Sequence, residues 1–171
     1  TRLKKLIRYS EPNNIENTLF IWPEGVFSGL NYSQLLKFKK NFSKNFKKNH
    51  FILFGINRFN EDKTGYYNSL VIVNNSLEII QEYNKQKLVP FGEFLPLENI
   101  LNKFGLKKIT EGHGSFLSGN DNGSLKILNA NILPLICYEI IFPELIQSSD
   151  QDTNLVVNIS EDGWFGNSIG P

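Results

Sequence analysis

The chain has 171 residues, 40% of them hydrophobic, enough for one substantial core, and its 18 basic and 17 acidic side chains leave a net charge of +1. That balance gives no sign of nucleic-acid binding, a single cysteine excludes an internal disulfide framework, and no run approaches the ~20 consecutive apolar residues that span a bilayer. There is no signal-peptide pattern and no methionine, and the chain stops at Gly170-Pro171, so it reads as one incomplete domain, 1–171, of a longer protein.

Leu19 to Trp22 is a short apolar run of buried-strand type that ends on Pro23 and Glu24. Ser33 is placed to cap a helix on which Leu35, Phe38, Phe42 and Phe46 recur at three- and four-residue spacing, an apolar stripe to pack on a sheet. The opposite face carries Lys37, Lys39, Lys40, Lys44, Lys47 and Lys48 without a tryptophan anchor, so it reads as solvated rather than as a lipid contact. Phe51 to Ile56 is a second buried strand. Tyr66 to Val73 and Leu77 to Tyr83 flank the turn-forming cluster Asn74-Asn75-Ser76 and read as antiparallel neighbours. Leu97 to Leu117 is more apolar than a solvated loop requires, which suits either a helix from Glu98 to Phe104 packed on the core or a lid. Ile132 to Ile136 and Leu155 to Ile159 are core strands, with a short helix from Glu139 to Gln147 between them. Alternating strands and helices with antiparallel contacts predict an α/β layered domain without linker or repeat.

Three reactive residue types stand at the ends of these elements. Cys137 lies where the apolar run Leu133 to Ile136 gives way to a helical pattern, and a thiol at a helix start has its pKa lowered by unpaired N–H groups and the helix dipole. A lone cysteine is more often a small buried hydrophobe, so its partners decide the matter. Glu24 closes the first strand, and Lys85 opens the segment Lys85-Gln86-Lys87-Leu88-Val89-Pro90-Phe91-Gly92-Glu93-Phe94-Leu95-Pro96. Together they suffice for covalent acyl chemistry: the glutamate takes the thiol proton, the thiolate attacks a carbonyl, and the lysine stabilises the oxyanion. His50 and His113 have no metal-ligand spacing, so neither metal nor cofactor is expected.

Trp22-Pro23-Glu24, Lys85 with Leu88-Val89-Pro90-Phe91-Gly92-Glu93, Cys137-Tyr138-Glu139, and Asn158 to Gly166 with its Trp164-Phe165 pair occur in one order along the chain. In this the sequence resembles the nitrilase superfamily, and within it the apolipoprotein N-acyltransferases, from about Leu19 to Pro171. The resemblance implies an α-β-β-α sandwich, Glu24 as general base and acid, Lys85 as electrostatic stabiliser and Cys137 as nucleophile. It adds Glu93 as a second essential carboxylate beside the lysine, where an unrelated chain would have a weak loop salt bridge. The Tyr138 backbone N–H is a natural oxyanion donor, and Glu139 either favours the helix dipole or supports the site from behind. Trp164 and Phe165 read as lining for an acyl chain, with ordinary core packing as the alternative. Lys87 is assigned to solvent, and Glu161-Asp162-Gly163 departs from the more usual Asn-Asp-Ala.

The resemblance also implies a phospholipid acyl donor, a diacylglyceryl apolipoprotein acceptor, membrane helices outside this chain, and a site at the bacterial inner membrane facing the periplasm. Two alternatives use the same scaffold. One is a soluble carbon-nitrogen hydrolase acting on an amide or nitrile with water as second nucleophile; the other is a non-catalytic binding domain.

Overall fold

The computed structural model describes residues 2–13, 16–94, 116–120, 123–147 and 150–161. Helix α1 (Arg2–Ser10) leads into strand β1 (Thr18–Ile21), a 3-10 turn (Glu24–Phe27), helix α2 (Tyr32–Leu35), a second 3-10 turn (Leu36–Phe38) and helix α3 (Lys39–Asn45). Strands β2 (His50–Phe59), β3 (Tyr66–Val73) and β4 (Ile79–Asn84) follow. The second half holds β5 (Leu125–Ile127), β6 (Ala130–Ile136), a 3-10 turn (Cys137–Ile141), helix α4 (Pro143–Gln147) and β7 (Leu155–Ile159).

The strands form two sheets, ordered β1-β2-β3-β4 and β5-β6-β7. β1 runs parallel to β2, while β2, β3 and β4 are antiparallel neighbours; in the other sheet β5 is antiparallel and β7 parallel to β6. The parallel pairings are the two that end at chemistry, since β1 leads to Glu24 and β6 leads to Cys137.

Three apolar layers hold these parts together. Leu53, Leu70, Ile72 and Tyr83 of the first sheet pack against Ile132, Ile136, Val157 and Ile159 of the second, which makes the centre of a sandwich. On the outer side of the first sheet Trp22, Phe42, Phe46 and Phe54 form an aromatic cluster with Leu3 and Leu35. Leu133 and Leu135 pack on Leu145 of α4 outside the second sheet. The order helix, sheet, sheet, helix is the expected α-β-β-α sandwich.

Several local expectations need correction. The cap of α2 is Asn31 rather than Ser33: its side chain accepts from the Gln34 N–H at 3.0 Å and Gln34 returns a bond to the Asn31 N–H at 2.9 Å, a reciprocal box that Ser33, one turn position inside, cannot make. The helical stripe breaks at the 3-10 turn, so Leu35, Phe42 and Phe46 are fully buried but Phe38 is 37% exposed. α1 adds a helix to the predicted elements: Leu3, Leu6 and Ile7 repeat at helical spacing and all pack on the outer core. The expected helix from Glu139 is divided into a 3-10 turn and the five residues of α4. The helix or lid expected within Leu97 to Leu117 lies almost wholly outside the described residues, as do Trp164 and Phe165.

Gly55 on β2 has a role that follows from sterics. A Cβ there would stand 2.7 Å from both the Cα and the carbonyl oxygen of Glu24. Only glycine lets the Glu24 turn rest directly on β2.

Candidate active site

Glu24, Lys85, Glu93 and Cys137 arrive at one place from four separate segments. After β1 the chain continues one bond further, with the Trp22 N–H donating to Leu53 O at 2.8 Å, and Pro23 then turns Glu24 inward. Lys85 follows the last residue of β4, and its own N–H donates to Asn68 O at 2.9 Å, so the sheet ladder fixes its backbone. Beyond it Glu93 is anchored by a tight loop in which its N–H donates to Val89 O at 2.8 Å and Phe91 has a positive φ of 62°.

Lys85 is only 1% exposed. Its Nζ lies 2.9 and 3.0 Å from the two oxygens of Glu93 and 5.7 Å from the Tyr138 ring centroid. Glu93 also accepts the Val89 N–H at 2.9 Å. A buried, two-point ion pair of this kind is a rigid fixture and differs in kind from a solvated loop salt bridge. Asn68 of β3 completes the network: its Nδ2 donates to Glu24 Oε1 at 2.8 Å and to Glu93 Oε1 at 2.9 Å.

The other Glu24 oxygen, Oε2, is buried with no hydrogen-bond partner among the described residues. Burial pushes the Glu24 carboxyl above the ordinary glutamate range; the Asn68 bond, the Lys85 charge and the Glu161 backbone amide pull the other way, and Glu93 adds to the rise. A buried carboxylate with a raised proton affinity is suited to receiving a proton.

Cys137 sits immediately after β6 with φ of 56°, a left-handed conformation that a residue with a Cβ adopts at a cost of about 1–3 kcal/mol. This is the sharp turn after a strand that lifts a nucleophile out of the sheet. The expected lowering of its pKa is not found. A short 3-10 turn follows it instead of a helix with a full dipole, and burial and the Glu24 charge push the thiol up, while Lys85 and the Tyr138 backbone N–H pull it down. The thiol therefore needs a base to deprotonate it.

Glu139 is fully buried and accepts four hydrogen bonds from the described residues. Oε1 takes the Tyr83 hydroxyl at 3.0 Å, the Gln86 N–H at 2.8 Å and the Lys87 N–H at 3.0 Å, and Oε2 takes the Ile136 N–H at 2.8 Å. It ties the loop after Lys85 to the residue before Cys137. The Tyr83 phenol is pushed strongly upward by burial and by Glu139, which keeps it a donor. Lys87 is not simply solvated: its Nζ pairs with Glu144 at 3.0 Å and lies 5.3 Å from the Phe142 ring centroid. Glu161 lies against Gly25, where an added Cβ would stand 1.1 Å from Glu161 Oε2. No group of three or more metal-ligating side chains occurs among the described residues.

Asn68 is the residue that sequence reasoning missed. Within Tyr66-Tyr67-Asn68-Ser69 an asparagine looks like a polar strand residue facing water, and its partners lie 44 and 25 positions away.

Residues 16–171 match the carbon-nitrogen hydrolase family over nearly the whole chain. The chain belongs to the carbon-nitrogen hydrolase family. Among curated members of known name, it is 38% identical over 160 residues to the apolipoprotein N-acyltransferase of Rhodopseudomonas palustris, covering 90% of this chain and 30% of that protein. It is 42% identical over 109 residues to the enzyme of that name from Rhizobium leguminosarum bv. trifolii, covering 63% of this chain and 20% of that one. The chain thus spans less than a third of the length of either relative.

Solved structures agree on the fold of this carbon-nitrogen hydrolase domain. A glutamine-dependent NAD+ synthetase from Acinetobacter baumannii superimposes with a TM-score of 0.61 at 20% identity, over 94% of this chain and 29% of that one. Nit3 of Saccharomyces cerevisiae, a nitrilase-superfamily member, gives 0.57 at 15% identity, over 92% and 55%.

Proposed function

We propose that this carbon-nitrogen hydrolase domain is the catalytic part of an apolipoprotein N-acyltransferase, using Glu24, Lys85 and Cys137 to move a fatty acyl group from a phospholipid to a lipoprotein. Glu24 takes the proton from Cys137 Sγ, and the thiolate attacks the ester carbonyl of the phospholipid. The oxyanion that forms is met by Lys85 Nζ and the Tyr138 backbone N–H. Collapse breaks the C–O bond, Glu24 returns its proton to the departing lysophospholipid oxygen, and a Cys137 thioester remains. The α-amino group of a diacylglyceryl-cysteine then attacks the thioester, Glu24 accepts the amine proton, and the thiol is regenerated as the N-acylated lipoprotein leaves.

Two kinds of support converge on this scheme. The 38% identity over 90% of the chain points to the lipid acyltransferases, and the Glu24–Asn68–Glu93–Lys85 network beside the strained Cys137 has the chemistry for acyl transfer. Trp164 and Phe165 are proposed to line the acyl chain. The proposed setting is the bacterial inner membrane, with the site facing the periplasm and the anchoring helices in the rest of the full-length protein; no described helix here is long and apolar enough to cross a membrane.

The test is transfer itself. Full-length protein given phospholipid and a synthetic diacylglyceryl-cysteine peptide is expected to yield peptide heavier by one fatty acyl group, with one lysophospholipid released per transfer. Release of free fatty acid with no acylated peptide would instead favour hydrolysis with water as second nucleophile.

A further inference from the structure

We propose that Asn68 is a positioning residue that locks the Glu24 and Glu93 carboxylates into one frame by donating to both from a single amide nitrogen. An amide nitrogen carries two hydrogens, so the bonds at 2.8 Å to Glu24 Oε1 and 2.9 Å to Glu93 Oε1 are made at once. The amide carries no charge, so it holds two acids together without neutralising either and without competing with Lys85. The same residue accepts the Lys85 N–H on its backbone carbonyl at 2.9 Å. Asn68 therefore touches the proposed base, the second carboxylate and the main chain of the proposed stabiliser, and it is itself buried at 8% exposure in the middle of the sheet.

The need for such a clamp follows from the surroundings of Glu24. Among the described residues the side-chain bond that holds it is the 2.8 Å one from Asn68 to Oε1. The charged groups acting on it are Lys85 and Glu93, its own charge acts on Cys137, and the Glu161 backbone amide approaches as well; the Asn68 bond does most to hold the carboxyl down against burial. Without the clamp, Glu24 is free to rotate away from the thiol and becomes harder to ionise.

The inference rests on the proposed role of Glu24 as general base and deepens it. The test uses full-length protein carrying Asn68→Leu, which keeps the bulk and removes the donor, or Asn68→Asp, which keeps the shape and replaces the donor with a third carboxylate. Ser69→Ala serves as control, because Ser69 is buried on the same strand and its hydroxyl donates to Asn84 Oδ1, at 2.6 Å, rather than to Glu24 or Glu93. Two profiles are read against pH: kcat/KM for peptide acylation, and alkylation of Cys137 by iodoacetamide, followed on the cysteine peptide by mass spectrometry. The coupled Glu24–Cys137 pair sets the acid inflection of both.

Asn68→Leu is expected to move that inflection upward by about one pH unit and to lower the kcat/KM plateau at least tenfold. Asn68→Asp is expected to move it at least as far, and Ser69→Ala to leave it in place. Superimposable alkylation profiles for wild type and a folded Asn68 variant would overturn the proposal, whatever the loss of stability; if Asn68→Leu does not fold, Asn68→Asp decides alone. Alkylation needs no acyl donor, so a shifted inflection in a protein that never acylates peptide would retain the clamp and remove the acyltransferase reading.

Discussion

Lys85→Met is expected to abolish measurable acyl transfer and to destabilise the domain together. Methionine matches the length of the lysine stem but leaves the Glu93 carboxylate, anchored by Val89 N–H and Asn68, buried without the cation that lies 2.9 Å away. Removing one member of a buried pair costs about 3–5 kcal/mol, because the other charge stays behind unpaired. Loss of an oxyanion stabiliser lowers kcat by about 10²–10³ on its own, and the change in the Glu24 environment adds to that. The double variant Lys85→Met with Glu93→Gln separates the two effects. It removes the stranded charge, so thermal unfolding should return most of the way to wild type while activity stays below about 1%. Recovery of activity in the double variant would show that Lys85 only balances Glu93 and takes no part in the chemistry.

Glu139→Ala is the second large effect, and it is structural. The change takes the acceptor from the Tyr83 hydroxyl and the Ile136 N–H in a buried place and from the Gln86 and Lys87 N–H groups at its half-buried edge. At about 1–3 kcal/mol for each buried donor left unmade, the loss is a large part of the ~5–15 kcal/mol that holds a domain folded. Glu139→Ala is therefore expected to leave the domain open to limited proteolysis at temperatures where the wild type resists. Glu139→Gln retains one carbonyl oxygen for three of the four donors and should cost about 1–3 kcal/mol, seen as a lowered melting temperature with part of the activity kept. Equal protease resistance of Glu139→Ala and wild type would show that water or another group satisfies the four donors.

The strand ends where Glu24 and Cys137 stand were legible because short apolar runs bounded by Pro23 and by a change of periodicity mark buried strands and their exits. The sandwich followed from the same runs once the family resemblance supplied the layer order. What escaped reading were relations between distant residues. Nothing in Tyr66-Tyr67-Asn68-Ser69 announces two carboxylate partners, since each lies in another segment. For Glu139 a helix-dipole role and support of the site from behind were both open; its partners among the described residues, which come from β4, the loop after it and the end of β6, could not be read from its neighbours in sequence. The direction of the Cys137 shift was misread for a related reason. A helix dipole was expected, whereas the chain forms a 3-10 turn and the dominant influences are burial and Glu24, 113 positions earlier in the sequence.

These corrections strengthen the case for a base-assisted thiol. A cysteine with a lowered pKa would ionise unaided and make Glu24 dispensable for the first step. A thiol held up by burial does not ionise unaided, and the neighbouring Glu24, whose proton affinity burial also raises, is a ready acceptor for its proton. In the proposed scheme Lys85, held by Glu93, meets the negative charge on the thiolate and then on the carbonyl oxygen.

The central claim is a covalent acyl-enzyme on Cys137, and intact mass spectrometry of the full-length protein after incubation with phospholipid tests it most directly. A mass gain of one fatty acyl group, mapped to Cys137, removed by hydroxylamine as a thioester is, and absent from Cys137→Ser, is the predicted result. Folded wild-type protein that gains no acyl group, or gains it equally in Cys137→Ser, would contradict the account.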